Sequence, residues 1–403
     1  MREGWKYCSL EQHIKLIDYR GRTPKKTESG VKLITAKNVK LGYLQNYPEE
    51  FIAEDNYEEW MRRGIPNYGD VIFTTEAPLA NVAQLLIHEK VAFAQRTIVM
   101  QPESGILDQT FLKYLLLSPE VRDDIFSNGT GATVTGIKSS LLKKIQIPIP
   151  PFQEQKQIVA ILDKAFTAID QAKANIEKNI ENAKELFQSK LNDIFSQKGE
   201  GWEEKTLGEV CEKTKNIKWQ DFASEEFEYV DLSSVSRETL SVTETTTVNK
   251  ENAPSRAKKI IHEGDVIFAT TRPTLRRATI IDEEISGNLC STGYVVLRPT
   301  ENISSDWIFF YLLTTKFMDR MKSLQRGASY PAVSDNDVKG SKLSIPRSKV
   351  EEKQNILIMK NLQEKTNSLI KNYEQKLEDL EDLKKSMLKK AFAGELTEKE
   401  VAV

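Results

Sequence analysis

GDVIFTTEAP fills residues 69–78, and GDVIFATTRP fills residues 264–273. A near-identical decapeptide 195 positions further on raises the question of what else recurs. Gly4-Trp5 returns as Gly201-Trp202, and FLKYLLL from Phe111 to Leu117 resembles IFFYLL from Ile308 to Leu313. Gly131-Ala132 matches Gly327-Ala328, and Ile149-Pro150 matches Ile345-Pro346. Landmarks in one order at a nearly constant offset mark a tandem duplication. Each copy is about half the chain, too long for a solenoid repeat, so it reads as a domain with an appendage.

The first part of each copy mixes strand and helix signals. In GDVIF the Gly-Asp pair signals a turn and Val-Ile-Phe a buried strand. VAFAQRTIVMQP (91–102) and NLCSTGYVVLRP (288–299) predict further strands ending at proline, and Thr110–Ile125 and Asp306–Lys322 predict helices. The expectation is an α/β (α+β) globular domain with a small sheet.

The appendage is helical. After Pro151, apolar residues fall at Ile158, Leu162, Ala165, Ile169, Ala172, Ile176, Ile180, Ala183, Phe187, Leu191 and Ile194. Steps of three and four define one face of an uninterrupted helix. Pro151 suits the first turn, and Gly199 and Gly201 stop it. The second copy offers Ile358, Leu362, Leu369, Tyr373, Leu377, Leu380, Leu383, Met387 and Ala391, opened by a capping box of Ser348 with Glu351 and closed at Gly394. Helices of this length, roughly 70 Å at about 1.5 Å per residue, need a partner for their apolar stripe. The chain reverses through a globular domain after each, so an antiparallel coiled coil within an internal pseudo-twofold repeat is expected. The domains read as 1–150, a long helix over 151–198, a second domain over 199–347 and a second long helix over 348–403.

Composition sets limits. Of 403 residues, 39% are hydrophobic and 29% charged, and the net charge is −2. By segment, residues 1–150 carry 19 basic and 18 acidic side chains, 151–198 carry 7 and 7, 199–347 carry 20 and 23, and 348–403 carry 11 and 11. No segment is strongly basic, so any nucleic-acid surface must be a local cluster. No apolar run approaches the roughly 18 residues of a membrane span, and MREGWKYCSLEQH lacks a signal-peptide core. Cys8, Cys211 and Cys290 are odd in number and scattered, which favours buried free thiols in a reducing cytoplasm. His13, His88 and His262 show no ligand spacing with them, so no metal is expected.

Two motifs imitate catalytic ones. GTGATVTGIKSS (129–140) encloses four residues between Gly131 and Gly136 as a phosphate loop does, but Ile137 intervenes before Lys138. The region before it predicts a helix rather than a strand, and the second copy, RGASYPAVSDNDVK, keeps only the first glycine. Ile149-Pro150-Pro151-Phe152 echoes the [ND]-P-P-[YF] site of amino-methylating DNA methyltransferases, yet Ile149 cannot accept from an amine. Neither motif supports catalysis, and the copies share no Ser/His/Asp or Cys/His constellation.

Together the Gly-Trp starts at Trp5 and Trp202, the two GDVIF strands and IPIPPFQEQKQIVAILDKAFTAID (147–170) resemble the specificity (S) subunits of type I restriction-modification systems. The second copy departs from the last motif as IPRSKVEEKQNIL, with Arg347 replacing the second proline and Glu-Glu replacing Glu-Gln. The resemblance implies a non-catalytic subunit with two target recognition domains reading a bipartite sequence in double-stranded DNA. It also implies a helical pair that spaces those domains and docks two methyltransferase (M) subunits, with restriction/motor (R) subunits joining. S-adenosylmethionine, ATP and Mg would then sit on partner subunits only, with no cofactor on this chain. The alternative is a coiled-coil protein-interaction scaffold without its own DNA readout.

For DNA contact, polar loops after strands are the candidates. In the first copy these are Arg20, Arg22, Lys25 and Lys26, with Thr74, Thr75 and Asn81. In the second they are Thr271, Arg272, Arg276 and Arg277, with Arg326, Ser329 and Tyr330. Arginine suits guanine edges or phosphates, and threonine and asparagine suit base edges or backbone.

Overall fold

The computed structural model describes residues 4–19, 23–131, 135–218 and 226–397. The chain forms two compact units, Met1–Ile176 with Glu374–Val403 and Glu177–Tyr373.

In the first unit, strands Ile14–Asp18, Thr97–Pro102, Val71–Thr74 and Val82–Gln84 form an antiparallel sheet in that order. A second sheet runs Lys26–Thr27, Phe51–Ile52, Val31–Ile34 and Val91–Phe93, its last pair parallel. A ribbon joins Lys6–Ser9 to Gln146–Ile149. Val71, Ile72 and Phe73 are all fully buried. Val71 and Phe73 join the core beneath the helices, whereas Ile72 joins a separate core with Leu33 and Phe93 of the second sheet. A strand covered on both faces reads as a continuous apolar run rather than an alternating one.

The second unit repeats the plan. Val266–Ala269 lies between Ala278–Ile280 and Tyr294–Leu297, and a four-stranded sheet orders Thr246–Val248, Phe227–Val230, Leu289–Ser291 and Ala257–Ile260. Again Val266 and Phe268 face one core, and Ile267 and Ala269 face another. The edge strand equivalent to Ile14–Asp18 is reduced to a bridge between Cys211 and Pro299.

The Gly-Asp before each strand has a physical cause. Gly69 and Gly264 hold φ of +90° and +82°, a conformation L side chains rarely adopt. Asp70 accepts from the Asn67 amide at 2.7 Å and Gln101 at 2.6 Å. Asp265 accepts from the His262 amide at 2.8 Å and from both forks of Arg298 at 2.8 Å. Both carboxylates close the turn that launches the strand.

Each expected single helix of the globular part is two. Gln109–Leu117 stops at Ser118, and Pro119, which has no N–H to give, begins Pro119–Ser127. Ser305–Leu312 is followed by Thr315–Leu324, whose cap Thr314 accepts from the Phe317 amide at 3.2 Å.

The long helices are Phe152–Ser196 and Lys349–Phe392, of 45 and 44 residues. In the first unit they run antiparallel, since Lys173 pairs with Glu381 and Asp170 with Lys384. Ile158, Leu162, Phe166 and Ile169 there share one core with Leu388, Ala391 and Phe392. In the second unit Leu191 and Ile194 share a core with Ile356 and Met359. The stripe expected for the first helix holds, but that of the second needs correction. Ile358, Leu369 and Leu383 are exposed. Positions 356, 359, 363, 366, 370, 373, 377, 380, 384, 387 and 391 are buried or half-buried and alternate strictly by three and four, with Leu362, Leu388 and Phe392 flanking them. That is the 3.5-residue period of a coiled-coil seam.

The Pro-Pro-x-x-Glu-Gln start is equally concrete. Gln155 is fully buried; it accepts from the Asp108 amide at 2.8 Å and donates to the carbonyls of Ile106 at 2.8 Å and Pro150 at 2.9 Å. Glu154 accepts from the Trp5 indole at 3.2 Å. Glu352 takes over the role of Gln155 in the second unit, accepting from the Ser304 amide at 2.9 Å and from Lys349 at 2.7 Å. The Glu-Gln to Glu-Glu departure therefore preserves the acceptor that ties each helix start to its domain. The Pro-Pro is a helix entry, with Ile149 closing a strand and Phe152 opening the helix.

Candidate nucleic-acid interface

In the second unit the chain leaves Val266–Ala269 and meets a closed loop. Arg326 and Ala332 exchange backbone hydrogen bonds at 2.9 Å each, Thr271 bridges Ala332, and the Val333 amide donates to Thr270 at 2.9 Å. Two loops are thus zipped into one rim. Arg272 sits there in the left-handed region, φ 49°, with its amide on the Pro331 carbonyl at 2.7 Å. Its guanidinium lies 4.8 Å over the ring of Tyr330, which is 70% exposed. Arg326, also exposed, reaches Asp337 at 3.4 Å. The rim thereby gathers Thr271, Arg272, Arg326, Ser329 and Tyr330 of the residues expected from the sequence.

Arg276 and Arg277 do not join them. Arg276 donates to Gln188 on the long helix at 3.2 Å. Arg277 donates from Nη1 to the carbonyls of both Ser233 at 3.0 Å and Val235 at 2.6 Å, so this one nitrogen lashes a loop to its neighbour. The first unit explains why. Asn81, 196 positions earlier, donates to the Val39 carbonyl at 2.9 Å, and Val39 precedes Val235 by the same interval. Two residues expected as DNA contacts perform one lashing in both copies.

The first unit has the same rim. Thr130 and Gly136 exchange backbone bonds at 2.7 and 3.0 Å, Glu76 bridges Gly136, and the Ile137 amide donates to Thr75 at 3.0 Å. GTGATVTGIKSS is therefore the counterpart of the Arg326–Ala332 loop. Helix Pro119–Ser127 precedes it, the amides after the helix bond back to Asp124 and Phe126, those of Thr130 and Gly136 bond across the loop, and Lys138 is exposed. No strand leads into a phosphate cradle here.

Thr74 and Thr75 are buried rather than presented to solvent. The Thr74 hydroxyl donates to the Pro78 carbonyl at 2.6 Å and accepts from the Asn81 amide at 2.9 Å, which builds the turn. Lys25 and Lys26 are exposed, and Lys26 pairs with Glu50 at 2.8 Å. Arg20 and Arg22 lie outside the described residues.

Two openings flank these lysines. A groove of about 250 Å³ is lined by Thr23, Lys26, Thr35, Lys37, Gln95 and Arg96 among others. A cleft of about 340 Å³ includes Tyr19, Lys25, Trp60, Arg62 and Arg63. Sequence reasoning missed Lys37, Gln95, Arg96, Arg62 and Arg63. The signal for Arg96 was available: it stands opposite Gly293 when the two copies are aligned on their strands.

Burial pushes the thiols of Cys211 and Cys290 up to about 12, and burial also raises Cys8. These groups are poor nucleophiles at neutral pH. Among the described residues no cluster of three His, Cys, Asp or Glu could hold a metal, and no helix is long and apolar enough to cross a membrane.

A family model described as the type I restriction modification DNA specificity domain matches twice, over residues 3–182 and 199–379. The chain belongs to that family. Each match encloses one rim of this specificity-domain chain. Among curated relatives, the type I restriction enzyme MjaVIII specificity subunit of Methanocaldococcus jannaschii is 22% identical, covering 98% of this chain and 93% of the relative. The EcoDI specificity subunit of Escherichia coli is 23% identical over 75% and 73%. A chain from a structure of complex assembly and conformational transition of the type I R-M system superposes with a TM-score of 0.77, at 18% identity, covering 98% of this chain and 99% of that one. The HsdS subunit of Thermoanaerobacter tengcongensis gives 0.59 at 18% identity, covering 98% of both. These likenesses establish the fold across both specificity domains.

Proposed function

We propose that this specificity-domain chain is the DNA sequence-recognition subunit of a type I restriction-modification complex, each domain reading one half of a bipartite duplex target. The observation that carries the reading is one rim architecture built twice and armed differently. Arg272, Tyr330 and Arg326 stand on the second rim, while Glu76, Arg96 and the groove of Lys26 and Lys37 stand at the first. A shared scaffold with unlike side chains is what two unlike half-sites require. On this reading Arg272, held over Tyr330, reads a base edge, and Lys25 and Lys26 grip phosphates.

Methyltransferase subunits dock on the long helices, and restriction/motor subunits join the assembly. The support is apolar surface off the coiled-coil seam, with Val350 66% and Leu357 60% exposed. Chemistry on DNA belongs to those partners, which carry S-adenosylmethionine, ATP and Mg in the cytoplasm, and this chain contributes no catalytic group.

Assembling the chain with its methyltransferase partner and mapping methylated adenines across a genome tests the reading. A bipartite, asymmetric motif is expected. Methylation without a motif, or an assembled complex with no preference among duplexes in a gel shift, would instead make the chain a protein-binding scaffold.

A further inference from the structure

The two rims carry non-glycine residues in the left-handed region at matching places. Ala77 at φ 45° matches Arg272 at 49°, and Ala80 at 61° matches Arg276 at 55°. The second domain has arginine where the first has alanine. The first domain has a left-handed arginine elsewhere, Arg96 at φ 73°.

Strand register fixes the counterpart of Arg96. Thr74 pairs with Thr97, and Ala269 pairs with Tyr294. The Arg96 carbonyl accepts from the Thr75 amide at 2.9 Å, as the Gly293 carbonyl accepts from the Thr270 amide at 2.8 Å. One backbone position thus bears glycine in one domain and arginine in the other. Gly293 does not take up the left-handed conformation, so the strain at Arg96 is the first domain's own, and such strain persists where the side chain is needed.

That side chain is poised rather than committed. Its Nε lies 3.0 Å from a Glu76 carboxylate oxygen, both side chains nearly half exposed at 45% and 44%. An ion pair this open contributes little to folding. It does hold the guanidinium at the mouth of the groove formed with Lys26, Lys37 and Gln95.

We infer that Arg96 reads a guanine in the half-site of the first domain, with Glu76 as the positioning residue that orients it before DNA arrives. The inference rests on the recognition function proposed above and names the residue that carries it in this domain. The guanidinium fork matches guanine O6 and N7, and lysine cannot reproduce that bidentate geometry.

The test uses the full chain assembled with its methyltransferase partner. Arg96→Gly copies the second domain and relieves the backbone strain, so its melting temperature should not fall. Its methylation motif should lose one G·C position in one half-site, with discrimination there reduced roughly ten- to a hundredfold and the other half-site unchanged. Arg96→Lys keeps the charge and should relax the same position. Glu76→Gln should keep the guanine and weaken discrimination less than Arg96→Gly does. A wild-type motif in Arg96→Gly or Arg96→Lys overturns base reading by Arg96. So does uniform weakening over all sequences with a shallower salt dependence, which would make Arg96 a phosphate contact. Unchanged discrimination in Glu76→Gln overturns the positioning role. If the wild-type complex itself yields no bipartite motif, the proposed function fails before this inference is reached.

Discussion

Arg272 and Arg277 are five residues apart in one arginine-rich loop, yet their surroundings predict opposite phenotypes. Arg277→Ala removes a charged donor from two backbone carbonyls, Ser233 at 3.0 Å and Val235 at 2.6 Å. Hydrogen bonds to a charged group are worth about 1.5–3 kcal/mol each, and allowing for solvent at this half-buried site the loss should be about 2–3 kcal/mol. For a unit of about 200 residues that corresponds to a fall of roughly 4–10 °C in melting temperature. The methylation motif of the surviving complex should not change, because the bonds of this guanidinium tie one loop to another.

Arg272→Ala removes only a guanidinium stacked on an exposed ring, worth about 0.5–1 kcal/mol. Alanine already occupies the equivalent left-handed position at Ala77, so the backbone tolerates it. The melting temperature should move by no more than about 3 °C, while one base of the half-site relaxes by about 1–3 kcal/mol. Calorimetry of the chain and motif mapping of the assembled complex separate the two variants. A thermally normal Arg277→Ala with an altered motif would refute this division of labour, as would an Arg272→Ala that melts early and keeps its motif.

Other expectations follow from the same contacts. Gln155→Ala orphans the Asp108 amide and two carbonyls in a fully buried setting, so urea titration should show a loss of at least about 2–3 kcal/mol in the first unit. Lys138→Ala should leave stability and the ATP turnover of the whole complex intact, because that lysine is exposed beside a loop bonded to itself; lost turnover with assembly preserved would revive the phosphate-loop reading. Native-state labelling with a thiol reagent at about pH 7.5 should modify Cys8 first, and Cys211 and Cys290, held up to about 12, only on unfolding. Burial raises the Asp70 carboxyl, against the lowering effect of bonds from Asn67, Gln101 and Gln109. Since the folded value lies above the unfolded one of about 3.9, its contribution is full below that pH and is lost as pH rises through the raised value. Stability of the wild type relative to Asp70→Asn should therefore decline with pH in that window, and a flat difference would sink the assignment.

The duplication, the two-faced GDVIF strands and the long helices were legible because each writes itself in residue type and period. The seam of the second long helix was less so. Ile356, Leu357, Ile358 and Met359 are consecutive apolar residues, and only packing selects 356 and 359 over their neighbours. The breaks at Ser118 and Thr314 carried visible signals, a proline and a capping threonine, that the apolar periodicity on either side overrode.

The recognition residues were hardest to read, for a reason that lies in the chemistry. An arginine that reads a base and an arginine that lashes two loops have the same side chain, the same preference for loops and the same sequence neighbours. What separates them is whether their donors are already occupied, and only the folded chain reveals that. The repeat supplies a control most proteins lack. Where both copies spend different side chains on the same bond, as Asn81 and Arg277 do on Val39 and Val235, the role is architectural. Where the copies keep the same left-handed φ and change the side chain, as at Ala77 and Arg272, the scaffold is held constant while its message varies. Selection for two different half-sites on one fold would produce that second pattern, because specificity demands change in the groups that meet the base edges and stability forbids change in the groups that hold them there.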